Sequence, residues 1–505
     1  MTTGTTGLSG RSRFLGACLP LLLLLSIARL WLMPMRSSLW VDEMGTVFVV
    51  RQGPDDPSLR VAPQVPESIY YLLPRGAEAL LGFSEVTYRL PSLLAMAAAL
   101  FLIARLATRL IHPQAGWFAA FACMALRGID YQAADARPYG LGTLVACASL
   151  WFLVRWLDCG GWRDALLFVV FAALLWRVQL IFWPFYLVFG IYALVRLARR
   201  GTPVGETPVG MSRAALVFAL LALALLPVAI KALALYRQAG GHVIVALPSA
   251  RDLVLSLKLG LIAVCGAGAW LLSRVFRWRP DSPTVSRSSF SLLLAWWLCP
   301  PFCLFGFSWL TGHSVFVARY LWLALPGGAL VAVLAASRFI PAAQWTPLAA
   351  ALGVGVLLWN GQWDHVWPPH HNSDWRGAAR TIQELGMGPE TPVICPSPFI
   401  EAKPPAWRPE YPLSGFLYTH LSVYPFPGRI YPLPFEDSPE AEEFAGRLAG
   451  QVLAVSKRFV LYGGQGQVGF WRDWFRARPE LAGWSNEQSR TFGDVEVVVF
   501  EKPAR

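Results

Sequence analysis

The chain has 505 residues, of which 55% are hydrophobic and only 15% charged, with 23 Trp and 30 Phe. Soluble chains carry about a quarter charged residues, so this composition excludes an ordinary soluble protein and points to a polytopic α-helical membrane protein. The net charge of +12, from 43 basic and 31 acidic residues, falls mostly in short loops between apolar runs; the positive-inside rule accounts for it without nucleic acid as a partner.

A helix needs about 20 apolar residues to cross a bilayer. Runs of that kind lie near 14–33, 91–111, 115–130, 138–157, 163–177, 180–197, 214–236, 252–273, 290–310, 319–337 and 343–360, about eleven transmembrane helices in all. Arg11 and Arg13 before the first run imitate a signal peptide, but no small-x-small cleavage site follows in "ARLWLMPMRSS", which predicts a retained anchor. Alternate loops sort by charge. One set holds Arg11/Arg13, Arg105/Arg109, Arg155/Arg163, Arg196/Arg199/Arg200/Arg213, Arg274/Arg277/Arg279/Arg287 and Arg338; the other, 34–90, 127–138, 237–251 and 311–318, is longer or more acidic. The rule therefore places the N-terminus in the cytoplasm of a cell with an inner (plasma) membrane, and the odd span count places the C-terminal part outside. No internal repeat is visible, which counts against an inverted-repeat transporter.

Two domains are expected: 1–360 in the membrane and 361–505 as a small α/β extracytoplasmic domain. In the second, "SDWRGAARTIQELGMG" reads as a capped helix ended by glycine. The runs "PVICPS", "KRFVLYGG" and "VEVVVFEK" read as strands, "SPEAEEFAGRLAG" and "FWRDWFRARP" as helices, and proline-rich 396–434 as a loop over the membrane domain's mouth. Of eight cysteines only Cys395 lies in this part, so it has no internal disulfide. "CPPFC" reads as packing at a proline kink. "HVWPPHHNSDW" lacks acidic or cysteine partners at zinc spacing, so no metal ligands are assigned. "GGQGQVG" lacks the strand–helix frame and lysine of a nucleotide loop.

The polar residues that need explaining lie on the outer side in this orientation. Asp42 and Glu43 follow the first span in "SSLWVDEMGTVFVV"; Asp135, Arg137 and Tyr139 fall in "YQAADARPYGL"; Arg177 falls in "WRVQLIF"; Arg319 and Tyr320 fall in "VARYLWLALP". Ionisable groups at the edge of hydrocarbon are costly unless paired or lining a wet cavity. Their joint placement suits group transfer from an anionic lipid phosphate, with arginines forking onto phosphate oxygens and a carboxylate deprotonating an acceptor hydroxyl. Trp40, Tyr131 and Tyr139 are candidates to stack on a sugar ring or to anchor the interface. Arg29 lies close enough to the outer end to join a phosphate site, Lys258 reads as a snorkelling or ion-paired side chain, and His242 and His313 read as solvated loop residues.

At these residues the chain resembles the GT-C glycosyltransferases, in the branch with protein mannosyltransferases and aminoarabinose transferases. "WVDE" resembles their acidic loop motif, "ADARPYGL" their acid-x-Arg-Pro-Tyr motif, "LLGFSEVTYRLPSLL" the segment entering their second span, "VARYLWLALP" a late-span segment, and "DWRGAARTI" the start of their outer domain. The resemblance covers roughly residues 14–395. It implies a polyprenyl-phosphate sugar donor, inversion at the anomeric centre, Asp42 as catalytic base with Glu43 beside it, and Asp135 as second-loop acid. Arg137, Tyr139, Arg319 and Tyr320 would then hold phosphate or the loop. Where many members carry a histidine segment after the fifth span this chain has "RVQL", so Arg177 replaces that function or marks another donor. Some relatives require a divalent cation (Mg or Mn) and others none, and adjacent acids alone do not decide. The sugar and the outer-face acceptor (lipid, glycan or protein) are not legible. The competing readings are a lipid-linked-sugar flippase or other membrane transporter, which would distribute charge through the bundle's depth, and a non-catalytic scaffold, which would tolerate change at Asp42.

Overall fold

The computed structural model describes residues 6–198, 208–238, 246–280, 285–484 and 486–502. Packing separates two compact units: Met1–Met35, Ser68–Leu73 and Arg89–Pro368 form the first, and Arg36–Glu67, Pro74–Tyr88 and Pro369–Arg505 the second. The chain is a polytopic α-helical membrane protein with a small C-terminal sheet domain.

In the first unit, eight helices among the described residues are long and apolar enough to cross a membrane, or nine when the bent pair Ala250–Ser256 and Leu259–Val275 is one span. Two further expected spans are helical but short. The run 115–130 holds Gly116–Met124, of nine residues, and a separate helix Arg127–Ala133; 163–177 lies in Trp162–Val178, of 17 residues. At 1.5 Å per residue they reach about 14 and 26 Å, against a hydrocarbon core of about 30 Å. Lipid gives helices no hydrophobic reason to associate, so close approach at small residues does that work. Gly327 lies so near the backbone of Trp296 and Trp297 that a Cβ would meet it at 2.8 and 2.7 Å.

The first span changes character at its end. A π-helical turn, Ala28–Leu32, is followed by a 3-10 turn, Met33–Arg36. The widened turn hands Arg29 to the chain just beyond the last membrane helix, Trp345–Asn360. Arg29 Nε donates to Gly361 O (2.7 Å), Nη1 to Val366 O (2.8 Å) and Met33 Sδ (3.2 Å), and Nη2 to Gln362 O (2.8 Å) and His365 O (2.6 Å). All five guanidinium N–H groups are thereby engaged, and Arg29 is a staple of this unit, not a phosphate ligand. Beside it, buried Asp130 accepts from Trp31 Nε1 (2.8 Å) and Asn360 Nδ2 (3.2 Å).

The second unit holds a five-stranded sheet: β1 Pro392–Pro396, β2 Arg429–Leu433, β3 Arg458–Gly464, β4 Asn486–Phe492 and β5 Val495–Glu501, in the order β2-β1-β3-β5-β4. β1 runs parallel to β2 and β3, and β5 antiparallel to β3 and β4. The three strands expected from sequence are the interior ones, buried on both faces. Their apolar runs announce them. The two that went unread are the edges: polar "NEQSRTF", and "RIYPL", which lies inside the stretch 396–434 expected as loop. An edge strand tolerates Pro432, whose missing N–H is not needed on the open side. That stretch also buries Phe416, Leu417, Tyr418 and His420, so it is structured core of this unit. The β4–β5 turn needs Gly493, with φ +63° and a missing Cβ that would overlap Asn372 O. "GGQGQVG" does carry a strand–helix frame, since β3 runs straight into Gln465–Arg476. It still has no lysine, and Gln467 bonds Ser397 O and Phe435 O.

Candidate functional site

In the second unit, "WVDE" is not loop but the first turn of a 12-residue helix, Val41–Gln52. Two acids in a first turn favour helix, because the orphan N–H groups and the macrodipole leave that end positive. The two carboxylates differ in use. Glu43 is fully buried and its Oε2 accepts from the Trp40 backbone N–H at 3.1 Å, reaching back as the third residue of a capping box does. Asp42 is half-buried, one position earlier. Trp40 is half-buried and stacks on His371 with centroids 4.9 Å apart and planes 3° from parallel.

The segment leading to this helix is held by residues from two of the other motifs. Arg376 of "DWRGAARTI" pairs with Glu85 of "LLGFSEVTYRLPSLL" (2.8 Å) and donates to Arg36 O (2.9 Å), and its backbone N–H reaches Ser38 Oγ (3.2 Å). Tyr424 OH donates to Glu85 Oε1 (3.1 Å) and accepts from Leu39 N–H (2.8 Å). Glu85, Arg376 and Tyr424 thus fix residues 36–39 immediately before Trp40. Sequence reasoning had given none of them a role, although two lay in quoted motifs. The contacts join residues more than 290 positions apart, which no local pattern reveals.

In the first unit, Asp135, Arg137 and Tyr139 lie on the turn from Arg127–Ala133 into Tyr139–Cys159. Asp135 and Tyr139 are buried and Arg137 half-buried. Pro138 starts the helix, suited by its fixed φ, and Ser92 Oγ donates to Arg137 O at 3.3 Å while touching Tyr70 OH at 3.0 Å. Arg319 and Tyr320 occupy the short helix Ala318–Leu321. Tyr139 meets Trp322 edge-on (5.4 Å) and Tyr320 at 6.4 Å; Tyr131 lies 5.2 Å from Trp322, and the Arg319 guanidinium 5.5 Å from the Tyr320 ring centre. The "ADARPYGL" and "VARYLWLALP" motifs therefore meet through their aromatic rings. Arg177 stands apart from these ring contacts. It is exposed in the last turn of Trp162–Val178, a favourable place for a cation, and has no ion-pair partner among the described residues.

The same short helix walls a cavity of about 440 Å³, lined among others by Ala318, Leu321, Trp322, Phe316, Asp252 and Lys258. Lys258 sits at the 49° break between Ala250–Ser256 and Leu259–Val275, in left-handed backbone with φ 51° and ψ 40°. Such backbone costs a non-glycine residue roughly 1–2 kcal/mol and concentrates at functional positions. Trp297 Nε1 donates to Leu257 O (2.9 Å), satisfying a carbonyl next to the break. A lysine in a long apolar run was the visible signal; the break that makes it a wall of a cavity was not visible. His313 is half-buried, its N–H bonded to Thr311 Oγ1 (3.3 Å), and His242 lies outside the described residues, as do Arg199 and Arg200.

No protein-family model matches the chain, and no curated protein matches it either. Solved structures do. ArnT from Cupriavidus metallidurans in the apo state superposes with a TM-score of 0.58 at 12% identity, over 96% of this chain and 98% of that one. The same protein bound to undecaprenyl phosphate gives 0.54 at 12%, over 95% and 97%. Across nearly its whole length the chain shares the fold of ArnT, in agreement with the resemblance seen in its motifs.

Proposed function

We propose that the chain is an integral-membrane glycosyltransferase that moves a sugar, with inversion, from a polyprenyl-phosphate donor to an acceptor hydroxyl at the outer face of the plasma membrane. The observation that carries this reading is the apolar cavity whose wall includes Trp322 and Lys258 and adjoins the cation-and-aromatic group of Arg319, Tyr320 and Tyr139. A largely apolar space with a few polar groups suits a phosphate on an isoprenoid chain. That an ArnT structure is described as bound to undecaprenyl phosphate supports the same donor class.

In this mechanism Asp42 takes the proton from the acceptor hydroxyl as its oxygen forms the new bond to the anomeric carbon. The bond from that carbon to the phosphate oxygen breaks, and the lipid phosphate leaves with the electron pair. Arg137, Arg319 and Lys258 meet the charge that develops on the phosphate. Of the two adjacent acids, Asp42 is the better base because the Glu43 carboxylate is already engaged in capping its helix. Asp135 serves as the second-loop acid, Tyr139, Tyr320 and Trp40 shape the sugar and phosphate surroundings, and Arg177 is a donor-binding cation. The N-terminus is cytoplasmic and residues 361–505 extracytoplasmic.

The test is transfer of radiolabelled sugar from a panel of polyprenyl-phosphate donors by purified protein, wild type beside Asp42→Asn. A general base contributes about 10²- to 10⁴-fold, so the variant is expected to lose at least about a hundredfold while keeping its melting temperature. Equal transfer by Asp42→Asn removes the base assignment. Translocation of lipid-linked sugar in vesicles without transfer favours the flippase. Labelling of a cysteine placed at exposed Asp55 only from the cytoplasm overturns the orientation.

A further inference from the structure

We infer that a basic cavity at the end of the helix Leu259–Val275 binds the phosphate headgroup of an anionic membrane phospholipid, independently of the transfer reaction. The cavity, of about 410 Å³, is lined by Trp270, Ser273, Arg274, Arg277, Trp278 and Phe339. That volume is within the range of small-ligand sites, about 300–1,000 Å³. Phe339 follows Leu325–Ser337, the helix packed along Leu259–Val275, so the cavity lies where two membrane helices end together.

The local sequence folds this way through the helix stop. Trp278 N–H bonds Ser273 O (2.9 Å) and Arg277 N–H bonds Arg274 O (3.4 Å), with Arg277 left-handed at φ 52°. That position in a helix stop is usually glycine, because an L side chain is strained there. The chain holds an arginine instead, at a backbone cost of roughly 1–2 kcal/mol. Arg274 and Arg277 are exposed, and among the described residues no carboxylate lines the cavity and neither arginine has an ion-pair partner. Arg274 lies 5.9 Å from the centre of the Trp270 ring.

Depth argues for a lipid. Trp270, Leu271, Val275 and Phe276 are all exposed, and on a helix of a membrane bundle such a surface faces acyl chains. Arg274 falls at the end of this surface and Arg277 directly after Phe276, where acyl chains give way to headgroups. Two guanidinium forks suit phosphate oxygens, Ser273 adds a hydroxyl, and the rings of Trp270, Trp278 and Phe339 give apolar cover to glycerol and the first acyl carbons. Cations that merely complement a helix C-terminus require neither a cavity nor a strained arginine.

The full-length protein is purified in detergent and studied by native mass spectrometry and thermal melting with phosphatidylglycerol, phosphatidylcholine, glycerol phosphate or inorganic phosphate. Wild type is expected to retain phosphatidylglycerol over phosphatidylcholine and to melt higher with it, while the two soluble phosphates do nothing. A cation near an anionic bilayer surface contributes about 1 kcal/mol, which converts to a loss of about fivefold in lipid affinity for Arg277→Gly and about thirtyfold for Arg274→Gln with Arg277→Gln. Arg277→Gly also relieves the left-handed strain, so it melts no lower than wild type without lipid and keeps the test valid if the double variant fails to fold. Unchanged phosphatidylglycerol retention in Arg277→Gly overturns the proposal, as does equal stabilisation by phosphatidylcholine (interface anchoring) or by the soluble phosphates (an anion site without lipid).

Discussion

Glu85→Ala tests whether the segment carrying Asp42 is positioned by distant residues of its own unit. The substitution removes the pair with Arg376 (2.8 Å) and the acceptor for Tyr424 OH (3.1 Å). Glu85 is 15% exposed and Arg376 40%, so the pair is partly screened and counts for about 1 kcal/mol. The bond from Tyr424 to an ionised acceptor adds about 1.5 kcal/mol. The sum, about 2–3 kcal/mol, lowers the melting temperature by about 5–10 °C in a unit of this size. Arg376→Ala breaks the same pair, so the double variant should show a coupling of about 1 kcal/mol against the two single ones. Melting in detergent micelles gives the energies, and hydrogen exchange over residues 36–52 gives the location: protection there should fall before protection in β3 and β5. Under the proposed function, transfer falls about tenfold or more, because small displacements of a catalytic group are costly. Additive single variants, or unchanged exchange over 36–52, would refute the reasoning.

Arg29→Gln should lower stability by about 2–3 kcal/mol, since four backbone carbonyls that water does not fully reach lose their donors. Arg29→Lys should not rescue it, because an ammonium lacks the planar fork; a melt of the lysine variant at the wild-type temperature would refute the staple. Gly493→Ala should destabilise the second unit by at least about 1–2 kcal/mol, because left-handed backbone and overlap with Asn372 O act together; urea melts followed by tryptophan fluorescence check it. Burial pushes the His420 imidazole down to about 3, where it lies 3.1 Å from Cys395 Sγ. The unfolded chain then takes the proton first, so stability is whole above the ordinary histidine value and falls as pH drops toward 3, by about 1 kcal/mol at pH 5.5. Melts at pH 7.5, 6.5 and 5.5 should show this slope in wild type and one proton less in His420→Gln; equal slopes would sink the assignment.

Several features were legible in the sequence because their physical cause is local. Apolar runs marked the membrane helices, since a bilayer demands about 20 such residues regardless of neighbours. Interior strands β1, β3 and β5 were legible because burial on both faces forces continuous apolar residues; edge strands β2 and β4 escape that demand, so their sequences say little. The motif residues were legible as types: acids, arginines and tyrosines at places where hydrocarbon normally excludes them.

Only the tertiary structure decided how those residues are used. It separated Glu43, a cap of its own helix, from half-buried Asp42, and it took Arg29 out of the phosphate candidates by engaging all its donors. It turned Lys258 from a lysine in an apolar run into the wall of a cavity, and joined Glu85, Arg376 and Tyr424 ahead of Trp40. The reason is the same in each case. A side chain's type follows from its own position, whereas its hydrogen-bond partner and exposure follow from residues hundreds of positions away, and these are set only when the helices and the sheet pack.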